Sequence, residues 1–320
     1  MRKGTNNFFF FKMKIAVEST IKLQENHKDR LGKIGELVVY EFGCSKEEFL
    51  EKVKDAEIII GNKWFFNDLL PSLKVKVIAL WSTGYDLIDV DKCKELGIAV
   101  TNVPAYSTDS VAELAIAFIM ELTKKLPFQR QEYDSGKWVY DMGFLTELSG
   151  KNLGIIGFGN IGKKAAKIAS AMDMNILITT KTNQQEKYPE FKFVELDELL
   201  SKSDFVTIHA PLTDKTKHMI FEEQFKLMKK TAFIINCSRG AVIDEKAMID
   251  ALQKKEIAGA GLDVFETEPL PKDSKLLKMD NVVMTPHSAF YTHEAIDRLN
   301  NVCIDNIENF LAGKDSNRVV

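Results

Sequence analysis

The chain has 320 residues, long for a single hydrophobic core, so two lobes are expected. Its composition, 45% hydrophobic and 28% charged with a net charge of -3, fits an ordinary globular protein and argues against the basic stripe of a nucleic-acid surface. The cysteines, Cys44, Cys93, Cys237 and Cys303, are scattered without metal or disulfide spacing, which suits a reducing cytoplasm, and no segment is apolar for long enough to span a bilayer.

Met1-Arg2-Lys3 and then Phe8 to Phe11 place charge before apolar residues, but the apolar run is too short for a signal peptide. Residues 1–12 are expected to be a disordered extension, with Met13 an alternative start. From Lys14, short apolar runs alternate with charged amphipathic stretches: strands at Ile15 to Val17, Leu37 to Tyr40, Glu57 to Ile60, Val75 to Leu80 and Ile98 to Thr101, and helices such as Glu47 to Val53 and Val90 to Leu96. Strict alternation implies right-handed crossovers and a parallel sheet.

After Pro104, Ser107 to Glu113 opens a long apolar helix running to about Thr123, with Ser110 and Glu113 available as a capping box. The flank from Phe128 to Leu148, with Trp138 and Tyr140, reads as aromatic and irregular, packed under a loop or against another subunit. Alternation resumes with strands at Leu153 to Ile156, Ile176 to Thr179, Phe205 to Ile208, Ala232 to Asn236, Gly259 to Asp263 and Val282 to Thr285, and helices near Glu222 to Met228 and Glu245 to Leu252. The last helix, His293 to Leu311, is expected to return to the first lobe.

The organising stretch is Gly157-Phe158-Gly159-Asn160-Ile161-Gly162 between a strand and a helix. In G-x-G-x-x-G the first glycine makes the turn, the second lets backbone approach a pyrophosphate, and the third packs helix on strand. A diphosphate there would meet free N–H groups and the positive end of the helix dipole.

Ligands of doubly wound sheets bind outside the carboxyl ends of the strands. There the sequence supplies Arg239, then Asp263 and Glu268, then His287. Reducing a carbonyl needs a proton donor, and histidine titrates nearest the working pH. Glu268 would orient His287, and the Arg239 fork matches a carboxylate, so the set specifies a 2-oxo acid. Taken singly, Arg239 could bind a nucleotide phosphate, His287 could be a turn residue, and Glu268 a solvated loop acid. His209 and His218 read as cofactor-wall or surface residues, His293 as a helix start, and Asp204, Asp244 and Asp250 as helix-end or surface acids. No ligand cluster supports a metal-assisted reaction.

With Gly150 to Gly162, His209-Ala210-Pro211-Leu212-Thr213, Asn236 to Gly240, Leu262 to Pro269 and Thr285 to Ala289 in this order, the chain resembles the D-isomer-specific 2-hydroxyacid dehydrogenases from Val75 to Leu311. The resemblance implies an α/β fold of two doubly wound parallel-sheet lobes: a Rossmann NAD(P)-binding domain, residues 105–287, inserted in a flavodoxin-like substrate domain, residues 13–104 plus 288–320. It implies Arg239 as carboxylate and carbonyl binder, His287 as acid/base, and Glu268 rather than Glu266 as its partner. Backbone amides of Thr83 and Gly84, with Tyr106 and Phe290, would meet the substrate. Cofactor contacts would come from Gly157, Phe158, Gly159, Asn160 and Ile161, from Thr180 and Lys181, from Ala210, Pro211 and Thr216, from Cys237 and Ser238, and from Asp263 at the nicotinamide amide. A homodimer is implied.

Two departures bear on specificity. NAD-preferring members carry an acid after the second Rossmann strand, where this chain has Thr180 and Lys181, so NADP is favoured over NAD. Ala289-Phe290-Tyr291 resembles the D-lactate branch and Glu268-Pro269-Leu270-Pro271 the glycerate branch, leaving pyruvate, hydroxypyruvate and glyoxylate open. The alternatives are a short phosphoglycerate dehydrogenase and a nucleotide-sensing protein of the corepressor type.

Overall fold

The computed structural model describes residues 13–62, 66–138 and 144–320. The expected extension at residues 1–12 and Tyr140 lie outside them. The chain divides into two compact units, one made of the described residues up to Tyr106 with His293–Val320, the other of Ser107–Thr292.

The first unit is a five-stranded parallel sheet of β1 (Met13–Glu18), β2 (Gly35–Tyr40), β3 (Ile58–Gly61), β4 (Val77–Leu80) and β5 (Ala99–Thr101), in the order β2-β1-β3-β4-β5. Every residue of β3 and β4 is buried, as expected of apolar runs in a sheet covered on both faces. Its helices are α1 (Glu25–Ile34), α2 (Lys46–Val53), the short α3 (Phe66–Leu69), α4 (Val90–Glu95) and, from the far end of the chain, α11 (His293–Leu311). Ser45 and Glu48 form the capping box of α2. Helix α11 buries Ala295, Leu299, Cys303 and Ile307 at four-residue spacing and packs on β4. Helix α1 falls between β1 and β2, where alternation calls for a helix, but its bounds were not legible because it buries only His27 and Leu31 and so shows little apolar periodicity. Arg30 pins it to Asp305 and Glu308 of α11.

The second unit opens with α5 (Thr108–Lys124) and α6 (Leu126–Asp134), followed by β6 (Asn152–Ile156), α7 (Asn160–Ser170), β7 (Asn175–Thr179) and β8 (Lys192–Phe193). Then come α8 (Leu196–Lys202), β9 (Phe205–Ile208), α9 (Glu222–Leu227), β10 (Phe233–Asn236), α10 (Glu245–Gln253), β11 (Gly259–Leu262) and β12 (Val282–Met284). The seven parallel strands run β12-β11-β10-β9-β6-β7-β8, so the order reverses between β6 and β9. That reversal opens a crevice at the carboxyl ends of two neighbouring strands.

Three local readings are corrected. The N-cap of α5 is Ser107, without a side-chain cap, while Ser110 lies inside the first turn and its hydroxyl donates to the Ser107 carbonyl, so Ser110 and Glu113 form no capping box. The stretch read as irregular from Phe128 is helical to Asp134, and Leu126, Phe128, Tyr133, Trp138 and Phe144 are exposed, so within this chain these aromatics are not packed under a loop. The short strand β8 was also missed, since its two residues offer no apolar run. Among the described residues, no helix is long and apolar enough to cross a membrane.

Candidate active site

The strand–turn–helix from β6 to α7 is shaped by its three glycines. Gly157 has φ +94°, and a Cβ there would fall 2.7 Å from the His209 carbonyl. At Gly162 a Cβ would fall 2.2 Å from the Gly157 carbonyl oxygen, so the helix sits on the turn only because no side chain intervenes. Gly159, the N-cap of α7, differs: a Cβ there meets no atom within 4 Å. The approach to the N-terminus of α7 is open, as a phosphate group needs. Phe158 turns its ring into a cluster with Tyr188, Phe191 and Phe193 and is 3% exposed, leaving only its backbone to face a ligand.

At the end of β9, beside this turn, Thr207 Oγ1 lies 3.1 Å from His209 Nε2, while Nδ1 is buried without a hydrogen-bond partner. Burial lowers the ring's pKa to about 4, so it is neutral near pH 7. A buried ring nitrogen lacking a partner at the strand-order reversal fits a site completed by a polar ligand. In the next loop, Thr216 Oγ1 donates to the Pro211 carbonyl at 2.6 Å and accepts from the Thr213 N–H, so this hydroxyl braces its own loop. Thr180 and Lys181 follow β7, with Lys181 exposed. Cys237 is buried, and burial, with the Asp263 charge, pushes its thiol well above the ordinary range.

The catalytic candidates follow β10, β11 and β12. Asn236 ends β10, and its amide takes the Ser238 N–H and hydroxyl while donating to the Arg239 carbonyl. Arg239 Nη1 donates to the Ser238 carbonyl at 2.9 Å. Past β11, Glu268 Oε1 accepts from the Phe265 N–H at 3.0 Å and Oε2 lies 2.7 Å from His287 Nδ1. Burial opposes ionisation of Glu268, but His287, the Phe265 N–H and the Arg239 charge outweigh it and hold the carboxyl below its ordinary range. Phe290 packs edge-on to His287, with ring centroids 6.3 Å apart.

Asp263 is 1% exposed. Its carboxylate accepts from Thr285 Oγ1 at 2.5 Å and from the Ser288 and Ala289 N–H groups, while its carbonyl accepts from His287 N–H. Burial pushes this carboxyl above its usual range despite those donors. Asp263 thus grips both sides of His287, and Thr285 joins it in a support that sequence reasoning missed. Residues 288 and 289 belong to this unit through the same bonds. Glu266 pairs not with His287 but with His218.

In the first unit, Thr83 Oγ1 donates to the Val103 carbonyl and Asn102 Nδ2 to the Thr83 carbonyl, while Ser82 Oγ donates to the Gly84 carbonyl. The Tyr106 carbonyl accepts from Arg298 of α11.

Residues 116–289, over half of the chain, match the sequence model for the NAD binding domain of the D-isomer specific 2-hydroxyacid dehydrogenases. The chain belongs to that family. It is 41% identical over 313 residues to a D-3-phosphoglycerate dehydrogenase of Methanocaldococcus jannaschii, covering 96% of this chain but spanning only 59% of that relative's length. It is 38% identical over 284 residues to a glyoxylate reductase of Korarchaeum cryptofilum, covering 84% of each. A D-lactate dehydrogenase from Aquifex aeolicus, solved with NAD and lactic acid, superposes with a TM-score of 0.83 at 32% identity, covering 93% of this chain and 96% of that one. The family assignment carries with it oxidoreductase chemistry on 2-hydroxy acids and a nicotinamide-nucleotide-binding Rossmann domain; none of these relatives is named as a corepressor.

Proposed function

We propose that the protein reduces a small 2-oxo acid of the glyoxylate, hydroxypyruvate or pyruvate class to the D-2-hydroxy acid, with His287 as acid/base. The observation that carries this is the 2.7 Å contact between Glu268 Oε2 and His287 Nδ1, on neighbouring strand ends of the unit that also bears Arg239. With Nδ1 engaged, Nε2 is the nitrogen left to give a proton to the carbonyl oxygen during reduction and to take it back in oxidation. Arg239 binds the substrate carboxylate and polarises the adjacent carbonyl, and in the first unit the Thr83 and Gly84 amides, with Tyr106, serve substrate binding. Phe290, packed on His287, bounds the substrate side chain.

The nicotinamide cofactor, when bound, supplies the hydride. Backbone at Gly157, Phe158, Gly159, Asn160 and Ile161 would hold its pyrophosphate. Ala210, Pro211 and Thr216, the backbone of Cys237 and Ser238, and Asp263 complete the cofactor set. We favour NADP over NAD because Thr180 and Lys181 stand where an acid would repel a 2′-phosphate. Exposed apolar side chains at Leu126, Phe128, Tyr133, Trp138 and Phe144 support a homodimer, and the four unpaired cysteines fit a cytoplasmic location.

The phosphoglycerate dehydrogenase relative gives 3-phosphohydroxypyruvate a place among the substrates to be tried. The test of the reading is His287→Gln: turnover should be lost while nucleotide affinity is kept. Normal turnover by this variant would overturn it.

A further inference from the structure

Two glutamates lie on the loop after β11. Glu268 faces His287, whereas Glu266 is bound to the different histidine His218 through Nε2, and its own N–H donates to Glu245 Oε2 at 3.2 Å. We propose that the His218–Glu266 pair is a positioning device that fixes the loop bearing Glu268 against the turn bearing Arg239. The inference rests on the reading that Arg239, Glu268 and His287 form the reacting set.

Glu268 is held by the backbone of its own loop, through the Phe265 N–H, so its carboxylate moves wherever Phe265 and Glu266 move. That backbone lies against Gly240, the residue after Arg239: a Cβ on Gly240 would fall 1.9 Å from the Phe265 carbonyl carbon. Contact of this kind resists compression but not lifting. The two bonds of Glu266 resist lifting: one ends on Glu245, just beyond the turn that carries Arg239, and the other on His218, which is itself bonded to that turn. The His218 N–H donates to the Ala241 carbonyl at 2.8 Å, and Ile220, two residues on, bridges Ile243. Glu245 opens α10, whose N-cap Asp244 donates its N–H to the Ile220 carbonyl. His218, Glu245 and the Arg239–Ile243 turn are therefore one frame, and Glu266 is the residue that clips the Glu268 loop to it. Misplacing a reacting group by about 1 Å can cost on the order of 100-fold in rate.

Glu266→Ala, His218→Ala and the double variant should be compared with wild type and with His287→Gln, in steady-state kinetics against pH and in thermal melts. Each single variant should lower kcat on the order of 10-fold, leaving KM for the nucleotide within about twofold. The acid limb of kcat/KM should move to higher pH, because Glu268, shifting with its loop, loses the His287 contact and the Arg239 charge that hold its carboxyl down. The double variant should be no worse than either single one, as for two partners in one bond. Glu266→Gln, which still accepts from His218, should recover most of the lost kcat. Wild-type kcat and pH profile in both single variants would overturn the proposal, as would a loss that tracks the melting temperature with the acid limb unmoved. If His287→Gln itself turns over normally, the reading beneath the proposal fails and takes it down; if that variant is inactive and Glu266→Ala is normal, only the positioning role fails.

Discussion

Glu268 Oε2 and His287 Nδ1 lie 2.7 Å apart, and this contact determines both which ring nitrogen faces outward and how the carboxylate titrates. Glu268 is held below its ordinary range although burial opposes its ionisation. A carboxylate with a lowered pKa supplies its function above that pKa and loses it as pH falls through it. The acid limb of kcat/KM should therefore lie below the ordinary glutamate value of about 4.3. Glu268→Gln should cut kcat roughly 10- to 100-fold and abolish this limb. The measurement is a pH–rate profile, and an identical profile in the variant would remove Glu268 from the reaction.

Arg239→Lys keeps the charge but not the planar fork. The expected result is a fall in kcat/KM for the oxo acid of at least about 10-fold, with nucleotide affinity unaltered, because a point charge cannot make two parallel bonds to a carboxylate. Wild-type kinetics would rule out the carboxylate clamp.

The glycines of the turn should separate by role. Gly162→Ala must push α7 off the Gly157 carbonyl, which a Cβ would approach to 2.2 Å, and should destabilise the fold by about 1–3 kcal/mol. Gly159→Ala meets no neighbouring atom, so it should melt like wild type yet bind nucleotide more weakly. Calorimetric melts and nucleotide titrations would show this, and undiminished binding by Gly159→Ala would contradict a pyrophosphate seat at the α7 N-terminus.

His209 gives the folded state a pH dependence of its own. Its folded pKa, about 4, is below the ordinary histidine value. The stability it confers is complete above about pH 6.5, the unfolded value, and is lost as pH falls toward the folded one. Between these limits the melting temperature of wild type should fall more steeply with acid than that of His209→Asn. Equal slopes would show that the ring is not held neutral by burial.

The strand-end residues were legible because their positions follow from strand periodicity and the parallel-sheet rule: Arg239, Glu268 and His287 each follow an apolar run. The bonds that steady them were not. Asp263 reaches Ser288 and Ala289, and Glu266 reaches His218, across long stretches of chain whose loops no local pattern fixes. Spacing alone does not separate Glu266 from Glu268; the family resemblance points to Glu268 as the partner of His287, and loop geometry sends Glu266 to His218 instead. Helix α1 was not located because Glu25–Ile34 is half charged and buries only His27 and Leu31, while Arg30 reaches Asp305 and Glu308 of α11. The helix α5 opens at Ser107 as expected, but its capping box was misread because Ser107 and Ser110 are equally good capping types and the Ser110 hydroxyl turns back to the Ser107 carbonyl.

The most direct test of the account is the rate at which the purified protein oxidises NADPH, and NADH beside it, in the presence of glyoxylate, hydroxypyruvate, pyruvate and 3-phosphohydroxypyruvate. Turnover with at least one of the three unphosphorylated acids, faster with NADPH, is the predicted result. Nucleotide binding without turnover on any of these acids would contradict it.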